Sequence, residues 1–347
     1  MNHLESQLSY PFDNTIPAPG AAQEVAPGLL WLRTGLPFAL DHINLWLVRD
    51  SDGWTVVDCG IATDTTRANW ETVFAAHLDG LPIVRVIATH CHPDHVGLAD
   101  WLCARWNAPL WMTTGEYGFA RMMSASLPGV DGVAMVPHFE RHGLTDPAML
   151  ETLKGRKSYY PTLVPAVPAS YHRMQDRQVL RIGEHAWRVI TGFGHSPEHA
   201  ALYCADLKVL ISGDMVLPRI STNVSVFAVE PDSNPVHQYL DSLGKFHDLP
   251  SDTLVLPSHG KPFRGLHTRI GQLIDHHRER LAEVLQACTK PQSAADIVPI
   301  MFRRALDAHQ LTFAMGEALA HLHKLMYDGV LTRETGSDGI IRFRTRG

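Results

Sequence analysis

The chain has 347 residues, enough for one large domain or two ordinary ones. Apolar residues make up 45% and charged residues 19%, which predicts a packed, water-soluble core. The formal net charge of −6 excludes a global drive toward nucleic acid or an anionic membrane surface, and no apolar run reaches the roughly eighteen residues of a spanning helix.

Residues 1–22 are rich in Pro and Asn and are expected to wrap the surface. Residues 1–28 lack a basic region followed by a long apolar stretch, so no secretion signal is read there. Five Cys, an odd number at irregular spacing, point to reduced thiols and a cytoplasmic setting. Residues 25–33, 43–48 and 54–58 read as strands, with turns at Leu36-Pro37 and Ser51-Asp52-Gly53. A helix follows over 63–78 with Thr63 or Asp64 as N-cap, then a strand over 83–88, a helix over 96–106, a strand over 109–112 and a helix over 115–126. Hairpins giving way to strand–helix alternation predict a mixed sheet with helices outside.

Residues 127–175 break this pattern with Pro, Met and aromatics (Met135, Phe139, Tyr159, Tyr160, Tyr171) and one helical piece over 146–154. A long insertion in a compact domain is a lid or binding loop or else disordered, and the apolar content argues against disorder. It reads as a helical cap shaping an apolar substrate pocket, or equally as a packing or dimer element. Strands resume at 178–182, 186–190, 200–205 and 208–211, with a helix over 234–246 and a last strand over 253–256.

From residue 266 the character is helical: 270–287, 293–306 and 313–327, followed by short β runs at 330–333 and 340–344. Helices followed by a hairpin resemble a winged helix. Asp296, Asp307, Glu317 and Asp328 balance much of the Arg content, so a dimerisation or pocket-closing module is favoured over a DNA-binding one. The division expected is 1–265 and 266–347, with 127–175 inserted in the first. His276, His277, His321 and His323 read as surface or interface residues, because no carboxylate or Cys stands at a metal-ligand spacing.

The chemistry concentrates in Thr89-His90-Cys91-His92-Pro93-Asp94-His95, on the loop between a buried strand and a helix. His90 and His92, two apart, leave one face of extended chain, while Asp94 and His95 follow the turn at Pro93. Three imidazoles and a carboxylate crowd one another unless a divalent metal takes them as ligands; the plainer reading is a His-rich surface loop in a chain with 21 His. Cys91 alternates away from His90 and His92 and is assigned to the core rather than to a metal.

The heptad resembles the His-x-His-x-Asp-His signature of the metallo-β-lactamase superfamily. Gly194-His195-Ser196-Pro197, Ser212-Gly213-Asp214 and Pro257-Ser258-His259-Gly260 supply, in order, the downstream positions that this signature requires. The resemblance covers about residues 25–265. It implies an α/β fold, an αββα sandwich of two mixed sheets flanked by helices, with the mainly helical winged-helix-like region appended. It also implies two divalent metal ions: His90, His92 and His195 on one, Asp94, His95 and His259 on the other, and Asp214 bridging, with Asp94 and Asp214 as the catalytic carboxylates. All-N/O ligation suits zinc, with iron or manganese as further options.

Two cations lower the pKa of a shared water and yield a hydroxide nucleophile. No Gly-x-Ser-x-Gly elbow offers a serine instead. Asp58, closing a strand, is expected either to orient a ligand imidazole or backbone near the heptad or to cap a turn, and the resemblance favours the first.

The complete set resembles the glyoxalase II, lactonase and phosphodiesterase branches and points away from antibiotic hydrolysis. The default is hydrolysis of a small-molecule acyl substrate: a thioester, ester or lactone. A metal-dependent phosphodiesterase or nuclease ranks second, since no basic clamp for RNA is seen. A metal-stabilised binding or sensor protein without turnover ranks third. Thr191-Gly192-Phe193-Gly194 departs from the glyoxalase II loop, which disfavours glutathione thioesters. His199 is either a proton shuttle or a packed structural residue, Ser221 and Asn223 either line the pocket or form turns, and His237 and Tyr239 head a helix within possible reach. A homodimer is compatible with all of these readings.

Overall fold

The structure, a computed structural model, describes residues 3–13, 15–38, 40–155 and 159–346; residues 156–158 of the insertion lie outside it. A seven-stranded sheet runs in sequence order through β1 (Ala22–Ala26), β2 (Leu29–Gly35), β3 (His42–Arg49), β4 (Trp54–Val57), β5 (Ile83–Ile87), β6 (Leu110–Met112) and β7 (His172–Arg173). It is antiparallel up to β4 and parallel beyond it. A five-stranded sheet contains β8 (Val179–Ile182), β9 (His185–Gly192), β10 (His199–Cys204), β11 (Val209–Gly213) and β12 (Leu254–Pro257) in reverse order, with the β11–β12 pair parallel.

Strand alternation explains how the sheets stack. In β3, Ile43, Leu45 and Leu47 face the outer cluster, which holds Trp70 of α1 (Asp64–His77) and, past the one-turn α2 (Pro93–Val96), Leu102 of α3 (Ala99–Trp106). Trp46 and Val48, one residue out of phase, meet Trp187 and Leu202 of the second sheet. A period of two thus writes both faces of a doubly covered sheet into one strand. The result is the expected αββα arrangement.

The insertion is helical: after α4 (Thr114–Ser124) come α5 (Met135–Arg141), α6 (Pro147–Lys154) and α7 (Tyr159–Leu163). α8 (Pro235–Gly244) covers the outer face of the second sheet. The C-terminal elements follow as α9 (Leu266–Ala287), α10 (Ala294–Met301), α11 (Ala308–Tyr327) and the hairpin β13 (Leu331–Thr335) with β14 (Ile341–Thr345). Ile190 and Leu210 of the second sheet share one apolar cluster with Leu319 and Phe343, so the C-terminal region shares a core with that sheet. No helix among the described residues is long and apolar enough to cross a membrane.

Several bounds differ from the sequence expectation. The helix expected over 96–106 is two pieces, since Gly97 keeps helical angles but Leu98 (φ −99°, ψ 12°) leaves them. Gly97 itself is tightly packed, and a Cβ there would lie 2.5 Å from the Pro93 carbonyl, 2.6 Å from that of Gly60 and 2.7 Å from that of Leu163. The helix expected to reach 306 stops at Met301, after an internal Pro299 and an extended Phe302. The next begins at Ala308, where the Asp307 carboxylate caps the Gln310 N–H.

The assignment of His277, His321 and His323 to the surface or an interface is corrected. His277, His321 and His323 are fully buried, and His276 is half-buried. α11 is buried on all sides through its centre, and His321 and His323 each find a partner there. His321 Nδ1 donates to the Glu317 carbonyl (2.8 Å), His277 Nδ1 lies 3.1 Å from His321 Nε2, and His323 Nδ1 donates to the Ser233 carbonyl (2.9 Å).

Candidate metal centre

The seven sequence-predicted residues converge between the C-terminal ends of strands from both sheets. His90, His92, Asp94 and His95 follow β5, His195 follows β9, Asp214 follows β11 and His259 follows β12. Donor atoms of His90, His92, His195 and Asp214 all lie within 4.8 Å of one another, and so do those of Asp94, His95 and His259. Asp214 faces both groups. Its Oδ2 is 3.4 Å from His195 Nε2, while its Oδ1 is 3.6 Å from His95 Nε2 and 3.5 Å from His259 Nε2. His259 Nε2 also lies 3.4 Å from Asp94 Oδ2.

The imidazoles are oriented from behind. His195 Nδ1 donates to the Asn223 carbonyl (2.8 Å), His259 Nδ1 to the His42 carbonyl (2.7 Å) and His95 Nδ1 to Asp58 Oδ2 (2.8 Å). These bonds orient the rings and turn each Nε2 inward. Asp58 is fully buried at φ 64°, and it also accepts from the Thr89 N–H (2.8 Å) and hydroxyl. It orients the His95 imidazole and the heptad backbone together, as the first of the two roles weighed for it requires. Asn44 of β3 donates to the Pro257 carbonyl (2.7 Å), accepts from Trp31 Nε1 (2.8 Å) and so pins the loop that carries His259.

The inward surface fits cations. His90 Nε2 is 2.9 Å from His92 Nδ1 and 3.3 Å from His195 Nε2, so unshared electron pairs face one another at close range. His95 Nε2 and Asp214 Oδ1 are buried without a hydrogen-bond partner. Burial, then the neighbouring imidazoles, holds His90 well below the usual histidine range, and burial brings His92 to about 3, so both keep free lone pairs at neutral pH. At His95 burial acts downward, but Asp58, Asp94 and Asp214 outweigh it and raise the ring to about 9. A divalent cation would satisfy both halves, neutralising the carboxylates while accepting the imidazole lone pairs.

The other candidates separate. Cys91 is buried in the outer cluster of the first sheet. His199 is fully buried and accepts the Asp214 N–H at Nε2 (3.1 Å), holding that backbone from beneath. Asn223 acts through its carbonyl on His195, and Ser221 does not line the cavity beside the centre. Tyr239 is buried and donates to the Met215 carbonyl, while His237 is exposed and pairs with Asp241. Sequence reasoning missed Asn44 and Glu116, both polar positions inside apolar or helical runs, where the only signal is a polar residue at a phase that should be buried.

Beside His92 and His195 opens a cavity of about 500 Å³. The insertion contributes Met135, Leu153, Tyr159 and Tyr160; Phe119 and Met123 of α4 and Phe313 of α11 complete the apolar wall. Its charged lining residues among those described are Asp131 and Glu230, with no Lys or Arg.

Two mixed sheets between helices, with a His- and Asp-lined centre at their strand ends, define a metallo-hydrolase architecture. The profile of the metallo-beta-lactamase superfamily matches residues 39–259, and the chain belongs to that superfamily. Residues 281–346 match the profile described as metallo-beta-lactamase-like, C-terminal domain. The crystal structure of a beta-lactamase domain protein from Burkholderia ambifaria is 59% identical, covers 99% of this chain and 100% of that one, and superposes with a TM-score of 0.94. A probable metallo-hydrolase, YqjP of Bacillus subtilis, is 23% identical over 327 residues, 87% of this chain and 93% of the relative. The human acyl-coenzyme A thioesterase MBLAC2 is 26% identical over 207 residues, 56% of this chain and 66% of the relative.

Proposed function

We propose that this metallo-hydrolase is dinuclear and cleaves the acyl bond of a thioester, ester or lactone with an apolar acyl part. The observation that carries the reading is the apolar cavity opening directly beside His92 and His195. Bound divalent cations, zinc by preference and iron or manganese as further fits, would lower the pKa of a shared water and polarise the acyl carbonyl. His90, His92, His195 and Asp214 Oδ2 would hold one cation, and Asp94, His95, His259 and Asp214 Oδ1 the other. At Asp94 burial acts upward, but His95 and His259 outweigh it and hold the carboxyl at about 2, so Asp94, like Asp214, would stay anionic and balance the charge of the cations. The aromatic and Met wall holds the acyl chain and excludes bulk water from it.

The thioesterase named among the relatives supports the thioester member of this class. A phosphodiester is disfavoured by a cavity whose described charged residues are both acidic. A closed structural site would use a Cys-rich tetrahedral set rather than a shared Asp. The five unpaired cysteines support a reducing, cytoplasmic setting.

Metal analysis with a panel of chromogenic thioesters, esters, lactones and bis-phosphodiesters of graded chain length tests the proposal. We expect two equivalents of metal and kcat/KM rising with acyl length. Ala228→Phe, which fills the cavity, should remove that rise and spare short substrates. Turnover of the phosphodiester alone, or none in metal-replete protein, overturns it.

A further inference from the structure

We infer that Glu116 is a positioning residue for the metal centre: its buried carboxylate ties the loop bearing His90 and His92 to the loop bearing His195. The inference rests on the dinuclear reading above but concerns a residue that touches neither ion.

Thr113 precedes α4 as its N-cap, and Glu116 stands three residues later, where a capping box would turn the glutamate back onto the helix's own first N–H. That box does not form. The Thr113 side chain makes no capping bond and donates instead to the Glu198 carbonyl (2.7 Å). The vacant cap is filled from across the site, where Glu198 Oε2 accepts the Gly115 N–H at 3.0 Å. Gly115 allows this approach, since a Cβ there would lie 3.0 Å from Glu198 Cβ and 3.3 Å from Pro197 Cβ.

Glu116 itself points inward and is fully buried. Its Oε2 accepts the N–H of Cys91, between His90 and His92, at 2.8 Å. Its Oε1 accepts the Ser196 hydroxyl (2.6 Å) and the Glu198 N–H (2.6 Å), immediately after His195. Burying a carboxylate is costly, and three short donors offset it. None of these bonds caps the helix. One per oxygen, they join chain segments about 105 residues apart, and what those segments share is the group His90, His92 and His195.

Glutamine fits the space but carries an amide where one of the two loops needs an acceptor, so Glu116→Gln must release one of them. Metal affinity is measured by chelator competition, and the absorption of the cobalt(II)-loaded protein reports ligand geometry. Wild type should take up two equivalents. In E116Q, one equivalent should bind about 10–100-fold more weakly with an altered cobalt spectrum, the other should be retained, and unfolding of the metal-free protein should move little. Ser196→Ala, which removes a single donor, should show a smaller loss at the same equivalent, and it decides the matter if E116Q does not fold.

Unchanged affinities and spectra in both variants overturn the role of Glu116 while leaving the dinuclear reading intact. So does a loss of thermal stability with metal binding unaltered. Wild type that takes up no divalent ion overturns the dinuclear reading and this inference together.

Discussion

Glu317 of α11 accepts a hydrogen bond from the Asn223 side chain at 3.3 Å, and the carbonyl of that same Asn223 receives His195 Nδ1 at 2.8 Å. The C-terminal region therefore stands one residue behind the centre. The contact is close-packed: Val226 N–H donates to the Gly316 carbonyl, and a Cβ at Gly316 would lie 2.8 Å from Ser225.

Burial raises Glu317 from the ordinary 4.5 to about 7, against the pull of Asn223. Between those two values the unfolded chain gives up a proton that the folded chain keeps, so this residue makes stability fall as pH rises through the window. Glu317→Gln should remove the penalty. Relative to wild type it should gain about 1–3 kcal/mol at pH 8 and show little difference at pH 4.5. Urea unfolding at the two pH values checks this, and an equal effect at both would refute it.

The buried histidines act in the opposite sense. Burial lowers His277 to about 2 and His142 to about 3, and brings His138 and His321 to about 4. Below the ordinary 6.5 the unfolded chain takes up protons that the folded chain refuses, so stability falls as pH drops from there toward 4. Each contributes a slope approaching ~1.4 kcal/mol per pH unit, and the four outweigh the opposing slopes of Glu317 and of Glu116, which burial also raises. We expect the urea midpoint to fall steadily from pH 6.5 to 4.5, with a shallower fall in His321→Gln.

Asp58→Asn should separate charge from backbone shape. Asn tolerates the left-handed conformation that residue 58 adopts, so the turn survives while His95 and Thr89 lose a carboxylate. Metal affinity should drop about 10–100-fold, measurable by titration against a chelator, with the circular dichroism spectrum unchanged. Undiminished affinity would remove Asp58 from the centre.

Gly97→Ala should be costly although helix propensity favours alanine. The new Cβ would meet three backbone carbonyls at 2.5–2.7 Å, and backbone cannot step aside as a side chain can. A loss of about 1–3 kcal/mol is expected by chemical denaturation, together with weaker metal binding, because α2 carries Asp94 and His95.

The heptad at 89–95 was legible because its chemistry is local: spacing and the turn at Pro93 suffice to put donors on a strand-to-helix loop. His195, Asp214 and His259 were legible because each ends a predicted strand beside Gly or Pro. Their supports were not. Asn44 meets Pro257 across 213 positions, and Glu116 meets Glu198 across 82, and no periodicity encodes such pairs. His277, His321 and His323 were misplaced for a related reason. Hydropathy ranks histidine as polar, whereas His277 on α9 and His321 and His323 on α11 each reach a partner that makes burial tolerable. The close packing at Gly97 escaped because two of its three contacts come from residues 60 and 163, remote in sequence.

Both donor groups straddle the two sheets: His90 and His92 against His195 and Asp214 in one, Asp94 and His95 against His259 in the other. A chain with only one sheet ordered holds neither group complete. Ion uptake is therefore a report on docked sheets rather than on either half, and a bound ion returns its binding free energy to that docking step. A stalled folding intermediate would be unable to load, so an assay of metal content would count finished molecules.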